Sequence, residues 1–568
     1  MKKLIIFILI LGILVFPGCK SSNSSKNDTN LLLLFFLLFQ ANNTASNTRT
    51  ISGTIKYEFP EYQSGSGLNW SSPSKTEKNC RQIRVELISG STVLASSNTD
   101  DNGAYSISVP SSVSSSQYLQ VRAVSRIMAN TVNTNFKSND TTNNVLVEVL
   151  DNYNSKNVHS SSSSSFQLTS SSATVNLVIP AENATTRSAT VNKAGAFSIL
   201  DTSLSAYKKL AAADTSLTFS KLKIFWSVYN IASASNNPPS GQISTSFYGT
   251  VSAFDSARSL YILGYADNDT DEFDVGVIAH EFGHYTEDTI FRSDSIGGSH
   301  SGSNRLDPRL AFGEGFGNGI SSIFRDDPTY HDTLGTNAAT TGVNMNMESN
   351  VTSDGGVWSE TSVQAILWDL YDSTTSGDSN DSLTLSFSDL YNVMKNYQKT
   401  TPAMTTLISF LYSLKQALPA NATAIDNIAN MSGVGSATSV YDISDIAVGT
   451  TEPTCRTAIY QDLTLGSSLT NQALNEDPGS STAGKNKYCA TKYYKITGNG
   501  SSKTITMAPT GCDADIYLYK NGSIIAYDND GGSGVSESIT YTLENNVVYI
   551  LDVRLYSGTS CTFTVSTN

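Results

Sequence analysis

Between Val277 and Ile290 the chain carries His280-Glu281-Phe282-Gly283-His284, and this spacing demands a helix. Residues four apart stack on one face of an α-helix, so both imidazoles can point at one ion. Val275, Ile278, Phe282 and Tyr285 fall on the other side and form an apolar face for burial. One short helix therefore offers a packing face and a metal face. With only five histidines in 568 residues, the pattern is a poor candidate for accident. Zinc is the ion it suits: two histidines supply neutral nitrogens, and Glu281 beside them can serve as general base towards a water at the metal.

Such a site takes a third protein ligand. Glu314, in Phe312-Gly313-Glu314-Gly315-Phe316-Gly317-Asn318, is the preferred candidate. Asp307-Pro308 ahead of it is a helix start, with Asp at the cap and Pro in the first turn. Glycines 313, 315, 317 and 319 each cost about 1 kcal/mol of helix propensity, a cost that close packing on a neighbouring helix would explain. His300, in a Gly/Ser-rich loop, is the alternative third ligand. A donor for a developing oxyanion is also needed; Tyr330, His331, His300 and Arg309 are candidates that the sequence does not order. Glu360, near Trp358, reads as a helix-start charge, with a place in the site as the alternative. The acidic run Asp267 to Glu272 lacks an EF-hand spacing and reads best as an exposed turn, with calcium binding and support of the helix N-terminus as alternatives.

The chain is long enough for several domains. Helix-compatible spacing covers 196–210, 273–290, 308–324, 362–371 and much of 386–431, and strands are expected at 222–228 and 261–264, the latter as the edge that aligns a substrate backbone. Residues 195–450 thus form an α+β block, flanked by short β-runs and turns over 49–180 and 455–568. The net charge of -14 argues against nucleic acid as a partner. Met1-Lys2-Lys3, the apolar run Leu4 to Phe16, and Pro17-Gly18-Cys19 read as an export signal over residues 1–19. A polar tether over 20–48 follows, interrupted by Leu31–Phe39, which is too short to span a bilayer and reads as a biased tract or a membrane-lying segment. Of the remaining cysteines Cys80 stands alone. Cys455, Cys489, Cys512 and Cys561 suggest two disulfides in an exported chain; three pairings are open, and sequence order favours Cys455–Cys489 with Cys512–Cys561.

Four resemblances add to this reading. Pro17-Gly18-Cys19 resembles a bacterial lipobox, which implies lipidation of Cys19 and a membrane anchor; a plain signal peptide with release is the alternative. The stretch "SGTIKYE…IRVELISG…TDDNGAYSISVP" resembles the regulatory β-sandwich that accompanies carboxypeptidases. The run "HEFGHYTEDTIFRSDSIGGSHSGSNRLDPRLAFGEGFGN", with "VWSETSVQAILWDLYD", is similar to bacterial lipoproteins of the zincin group, and "GEGFGN" resembles the gluzincin peptidases, whose second helix delivers a glutamate to the metal. The segment from "DADIYLYKNGSIIAYDNDGGSG" to the C-terminus resembles the pre-peptidase C-terminal domain, some members of which bind calcium; Asp513, Asp515, Asp528 and Asp530 are the candidate ligands. The resulting expectation is a multidomain protein with a zincin-like α+β domain between two β-sandwiches. It would be a zinc peptidase acting on extracellular or envelope protein, or alternatively a surface-binding lipoprotein that keeps the scaffold without the chemistry.

Overall fold

The computed structural model describes residues 48–568 apart from 71–74, 132–135, 154, 182–192, 267, 349–354, 373–382, 443–459 and 476–487. The export signal, Cys19, the tether and Cys455 lie outside the described residues. The strand Thr50–Pro60 alternates inward Ile51, Ile55, Tyr57 and Phe59 with half-exposed neighbours. It pairs antiparallel with Lys75–Asn79 and Ala104–Ser108, and parallel with Ser172–Thr174 and Leu177–Ile179.

A second sheet is nine-stranded. Its order runs Phe247–Val251, Asp255–Ile262, Leu222–Trp226, Val145–Leu150, Tyr118–Met128, Ile83–Ser89, Thr92–Asn98. This order crosses the expected division between the N-terminal β-region and the α+β block. Val147 to Leu150 pair in parallel with Leu222 to Phe225. The reason is in the sequence of Val145–Leu150, VLVEVL, every residue of which is buried. A strand covered on both faces and both sides cannot edge an independent sandwich. Its one charge, Glu148, is held by Arg126 at 2.5 Å and Lys221 at 2.8 Å. The strand Asp255–Ile262 likewise lies inside the sheet, and Phe247–Val251 is its edge, not the segment around Tyr261–Gly264.

The helices follow the apolar spacing closely. Helix α1 (Ala194–Ala213) is followed by α2 (Val275–Thr289), α3 (Pro308–Arg325) and α4 (Glu360–Tyr371). Further along come α5 (Phe387–Asn392), α6 (Leu407–Ala417) and α7 (Ala422–Met431). Phe282 of α2 meets the ring of Tyr207 on α1 at 4.9 Å and that of Phe324 on α3 at 5.9 Å, so the expected packing face is used. Among the described residues no helix is long and apolar enough to cross a membrane.

From Tyr460 onwards a five-stranded and a four-stranded sheet face each other. They enclose a core of their own that includes Leu474, Tyr494, Ile505, Ile516, Leu551 and Val565. Cys512 and Cys561 are bonded, with Cα atoms 5.2 Å apart. Cys489 is also in a disulfide, and Cys80 is free and buried.

This sandwich is joined to the helices through Arg309, which is 1% exposed. Its guanidinium bonds Asp307 at 2.8 Å on its own helix start and Asp552 at 2.7 Å on the sandwich. The Tyr493 ring lies 4.9 Å from the guanidinium carbon, and the Tyr493 hydroxyl donates to Asp307. Arg309 is therefore a joint between two parts of the molecule and is not available to a substrate.

Candidate metal centre

Helices α2 and α3 approach so closely that small residues are required between them. A Cβ on Gly283 would lie 2.7 Å from the Ile320 side chain, and one on Gly317 would lie 2.7 Å from His280 Cε1. On the far side of α3, a Cβ on Gly315 would meet the Glu360 carbonyl oxygen at 2.5 Å. The glycine-rich stretch is thus a helix pressed between α2 and α4, and its propensity cost is offset by contact. Asp307 caps it, accepting from the Arg309 amide at 2.9 Å.

This approach brings His280, His284 and Glu314 together. The Nε2 atoms of the histidines are 3.0 Å apart, and each lies 3.4 Å from Glu314 Oε2. Three ligands arranged tetrahedrally around zinc at about 2.0–2.1 Å would be separated by roughly 3.3 Å. The other ring nitrogens are engaged. Asn318 donates its amide to Gln364 Oε1 at 2.9 Å, leaving Oδ1 to accept from His280 Nδ1 at 2.8 Å. His284 Nδ1 faces buried Glu287 at 3.4 Å. Protons held at Nδ1 leave both Nε2 lone pairs aimed at one point, an unfavourable arrangement without a cation and the usual outer support of a metal site. Donor type, spacing and tautomer all fit zinc.

Electrostatics follow from the dryness of the site. Burial raises the Glu281 carboxyl above its ordinary range, a shift that His280 and His284 oppose. Burial also works against ionisation of Glu314, but His284 and His280 outweigh it and hold that carboxyl well below the usual value. Burial pushes Glu287 up to about 7 despite its histidine partner.

The remaining candidates separate. His300 Nε2 stands 3.3 Å from Glu314 Oε2 while its Nδ1 lies 2.9 Å from Glu360 Oε2. Nδ1 is hydrogen-bonded to Glu360, and His300 flanks the three-residue cluster without belonging to it. Glu360 is then more than a helix-start charge, although it does occupy the first turn of α4. Tyr330 packs its ring 6.4 Å from that of His280. His331, next along the strand Thr329–Leu334, stacks on Tyr62 with centroids 3.6 Å apart. It lines a different cavity with Arg325 and Lys78, because successive side chains of a strand point oppositely. Glu287 and Asn318 were not among the expected site residues; they sit one helical turn beyond His284 and Glu314, which is the signal that could have found them.

A cavity of about 790 Å³ opens on the centre. Its wall includes His284, Glu287 and Glu314, the edge-strand residues Tyr248, Gly249 and Thr250, and Asn521 to Ser523 of the C-terminal sandwich. In that sandwich, Asp528 and Asp530 cluster with Glu537. Asp513 and Asp515 do not join them; Asp515 instead accepts from the Tyr517 hydroxyl at 3.2 Å, and Asp513 lies 3.5 Å from Ser557 Oγ.

Residues 249–420 match the family described as the Mycolysin C-terminal domain. The matched stretch runs from the edge strand past α6 and includes all three residues of the cluster, giving the site-bearing block a peptidase-associated counterpart. No curated protein matches the chain. Among solved structures it is similar to the pre-peptidase C-terminal domain of a collagenase from Bacillus anthracis. There the identity is 16% over 19% of this chain and 94% of that one, at a TM-score of 0.15. It is also similar to a periplasmic inhibitor of g-type lysozyme from Aeromonas hydrophila, at 14% identity over 19% of this chain and 99% of that one, with a TM-score of 0.13. At such TM-scores neither likeness bears on the site.

Proposed function

We propose that this chain is an exported zinc metallopeptidase, anchored by lipid at Cys19, that hydrolyses peptide bonds of extracellular or envelope proteins. The observation that carries the reading is the convergence of His280 Nε2, His284 Nε2 and Glu314 Oε2 within 3.0–3.4 Å, with Glu281 buried on the same helix. Zinc bound there would supply Lewis-acid polarisation of a carbonyl and a more acidic water. Glu281, its affinity for protons increased by burial, takes the proton of the attacking water and passes it to the leaving amine. His300, oriented by the bond between its Nδ1 and Glu360, directs Nε2–H to the oxyanion as it forms. The free edge of Phe247–Val251 binds an extended peptide by strand addition along the cavity. In this reading the C-terminal sandwich is a pre-peptidase C-terminal-like domain that contributes one wall of the cavity.

Zinc content of the purified protein, measured with peptide hydrolysis, tests the assignment. The wild type should carry about one zinc per chain. Glu314→Ala should lose it. Glu281→Ala should keep the metal and lose hydrolysis, and His300→Ala should keep the metal with a fall in kcat of about a hundredfold. Loss of zinc in His300→Ala would move the third ligand there. A wild type free of zinc would leave a binding scaffold in place of an enzyme.

A further inference from the structure

Thr270, Asp271 and Glu272 of the acidic run ahead of α2 are buried, not part of an exposed turn. Asp271 and Asp274 are each 3% exposed. One carboxylate oxygen from each of Asp269, Asp271 and Asp332 lies within 4.8 Å of the other two. Asp271 Oδ2 accepts from the Ser246 hydroxyl, whereas its Oδ1 is buried with no hydrogen-bond partner. Oδ1 of Asp269 and Oδ1 of Asp332 are buried in the same state. Asp274 beside them is satisfied separately, by the Thr333 amide at 2.7 Å and the Thr333 hydroxyl. After burial itself, the strongest influences on Asp269 and Asp271 are the charges of neighbouring aspartates, which raise both; Asp269 is pushed up to about 7.

We propose that Asp269, Asp271 and Asp332 hold a calcium ion. The donors are all oxygen, which excludes the nitrogen and sulfur preference of zinc. Ligands about 2.3–2.6 Å from one calcium stand at most about 5 Å apart, as these do. Main-chain carbonyls and water complete the coordination of such sites. The ion compensates three carboxylates whose unpartnered oxygens are turned away from solvent.

Its position gives it a task. Asp269 and Asp271 lead into α2, and Asp332 lies two residues beyond Tyr330 on the strand Thr329–Leu334. The Tyr330 ring is packed so tightly on the first turn of α2 that a Cβ on Gly276 would meet it at 2.9 Å. Calcium would therefore clamp the start of the helix carrying His280 to the strand carrying Tyr330. This proposal does not depend on what the histidine cluster binds.

The test is thermal melting of the full chain during calcium titration, with zinc saturating throughout. Asp528→Asn/Asp530→Asn serves as the background, so that the C-terminal cluster contributes nothing. Calcium should raise Tm by about 5 °C. Asp271→Asn and, separately, Asp332→Asn should abolish that rise and also raise the Tm of the calcium-free protein, since each removes one of the opposed charges. The opposite signs distinguish an ion site from aspartates that only support the fold, whose removal lowers Tm in both conditions. Equilibrium dialysis should count one calcium fewer in each variant than in the background. An undiminished calcium response in both variants, no response in the background, or an equal response to magnesium would overturn the assignment.

Discussion

The two β-rich regions flanking the helices are both built from short strands and turns, yet they are attached in different ways. The N-terminal region donates strands to the nine-stranded sheet, with Val145–Leu150 hydrogen-bonded to Leu222–Trp226. The C-terminal sandwich shares no sheet with the helices and has a core of its own, while Tyr488, Tyr493, Tyr519 and Ile550 on its inner side join the main core and Arg309 bonds Asp307 and Asp552 across the junction. A shared sheet couples two regions through backbone bonds and a common apolar core, so they fold as one. A docked sandwich shares no strand ladder and couples mainly through side chains, among them the buried Arg309.

The largest expected effect tests the first half of that contrast. Deleting residues 49–180 strips the partner from Leu222–Trp226 and should abolish folding of the whole protein, seen as loss of zinc content and of cooperative melting. Deleting 460–568 together with Arg309→Leu should leave a folded, zinc-binding block at lower Tm. If both deletions behaved alike, the distinction would fail.

Arg309→Ala comes next. It leaves Asp307 buried without its cation and Asp552 with Arg554 alone, and should cost about 3–5 kcal/mol, resolving denaturant unfolding into two transitions. A single unchanged transition would sink the view of Arg309 as the joint. Replacing Cys512 and Cys561 by Ser, which opens a loop of 49 residues, should cost about 2–4 kcal/mol in the transition of the sandwich and leave zinc content intact.

The smallest effect is with pH. Burial works against ionisation of Asp552, but Arg309 and Arg554 outweigh it and depress its folded pKa. A depressed carboxyl stabilises fully above its unfolded pKa of about 3.9 and loses that contribution as pH falls through the folded value. Below about pH 4 the sandwich should thus loosen, and Asp552→Asn should flatten that slope in pH-dependent melting.

Much of the candidate metal centre was legible because it is written in local spacing. His280 and His284 are one turn apart, and Asp307-Pro308 announces the helix that delivers Glu314. Asn318 and Glu287 follow by the same periodicity, but their role depends on which ring nitrogen they face. Glu360 lies 60 residues from His300, and no periodicity connects positions that far apart. His331 and Arg309 show the converse. Residue type suggested an oxyanion donor in each, whereas strand alternation turned one to Tyr62 and burial committed the other to Asp552.

The sequence by itself determined the helices, the short strands and the His-Glu-His face, because apolar periodicity and capping act over a few residues. Tertiary structure alone decided which strands share a sheet, which carboxylates meet and which charges are buried. Pairing partners and dry clusters are set by contacts between segments distant in the chain. The aspartates before α2 make the point plainly. In sequence they are a polar turn; in the fold, Asp332 arrives from another strand and turns them into a site.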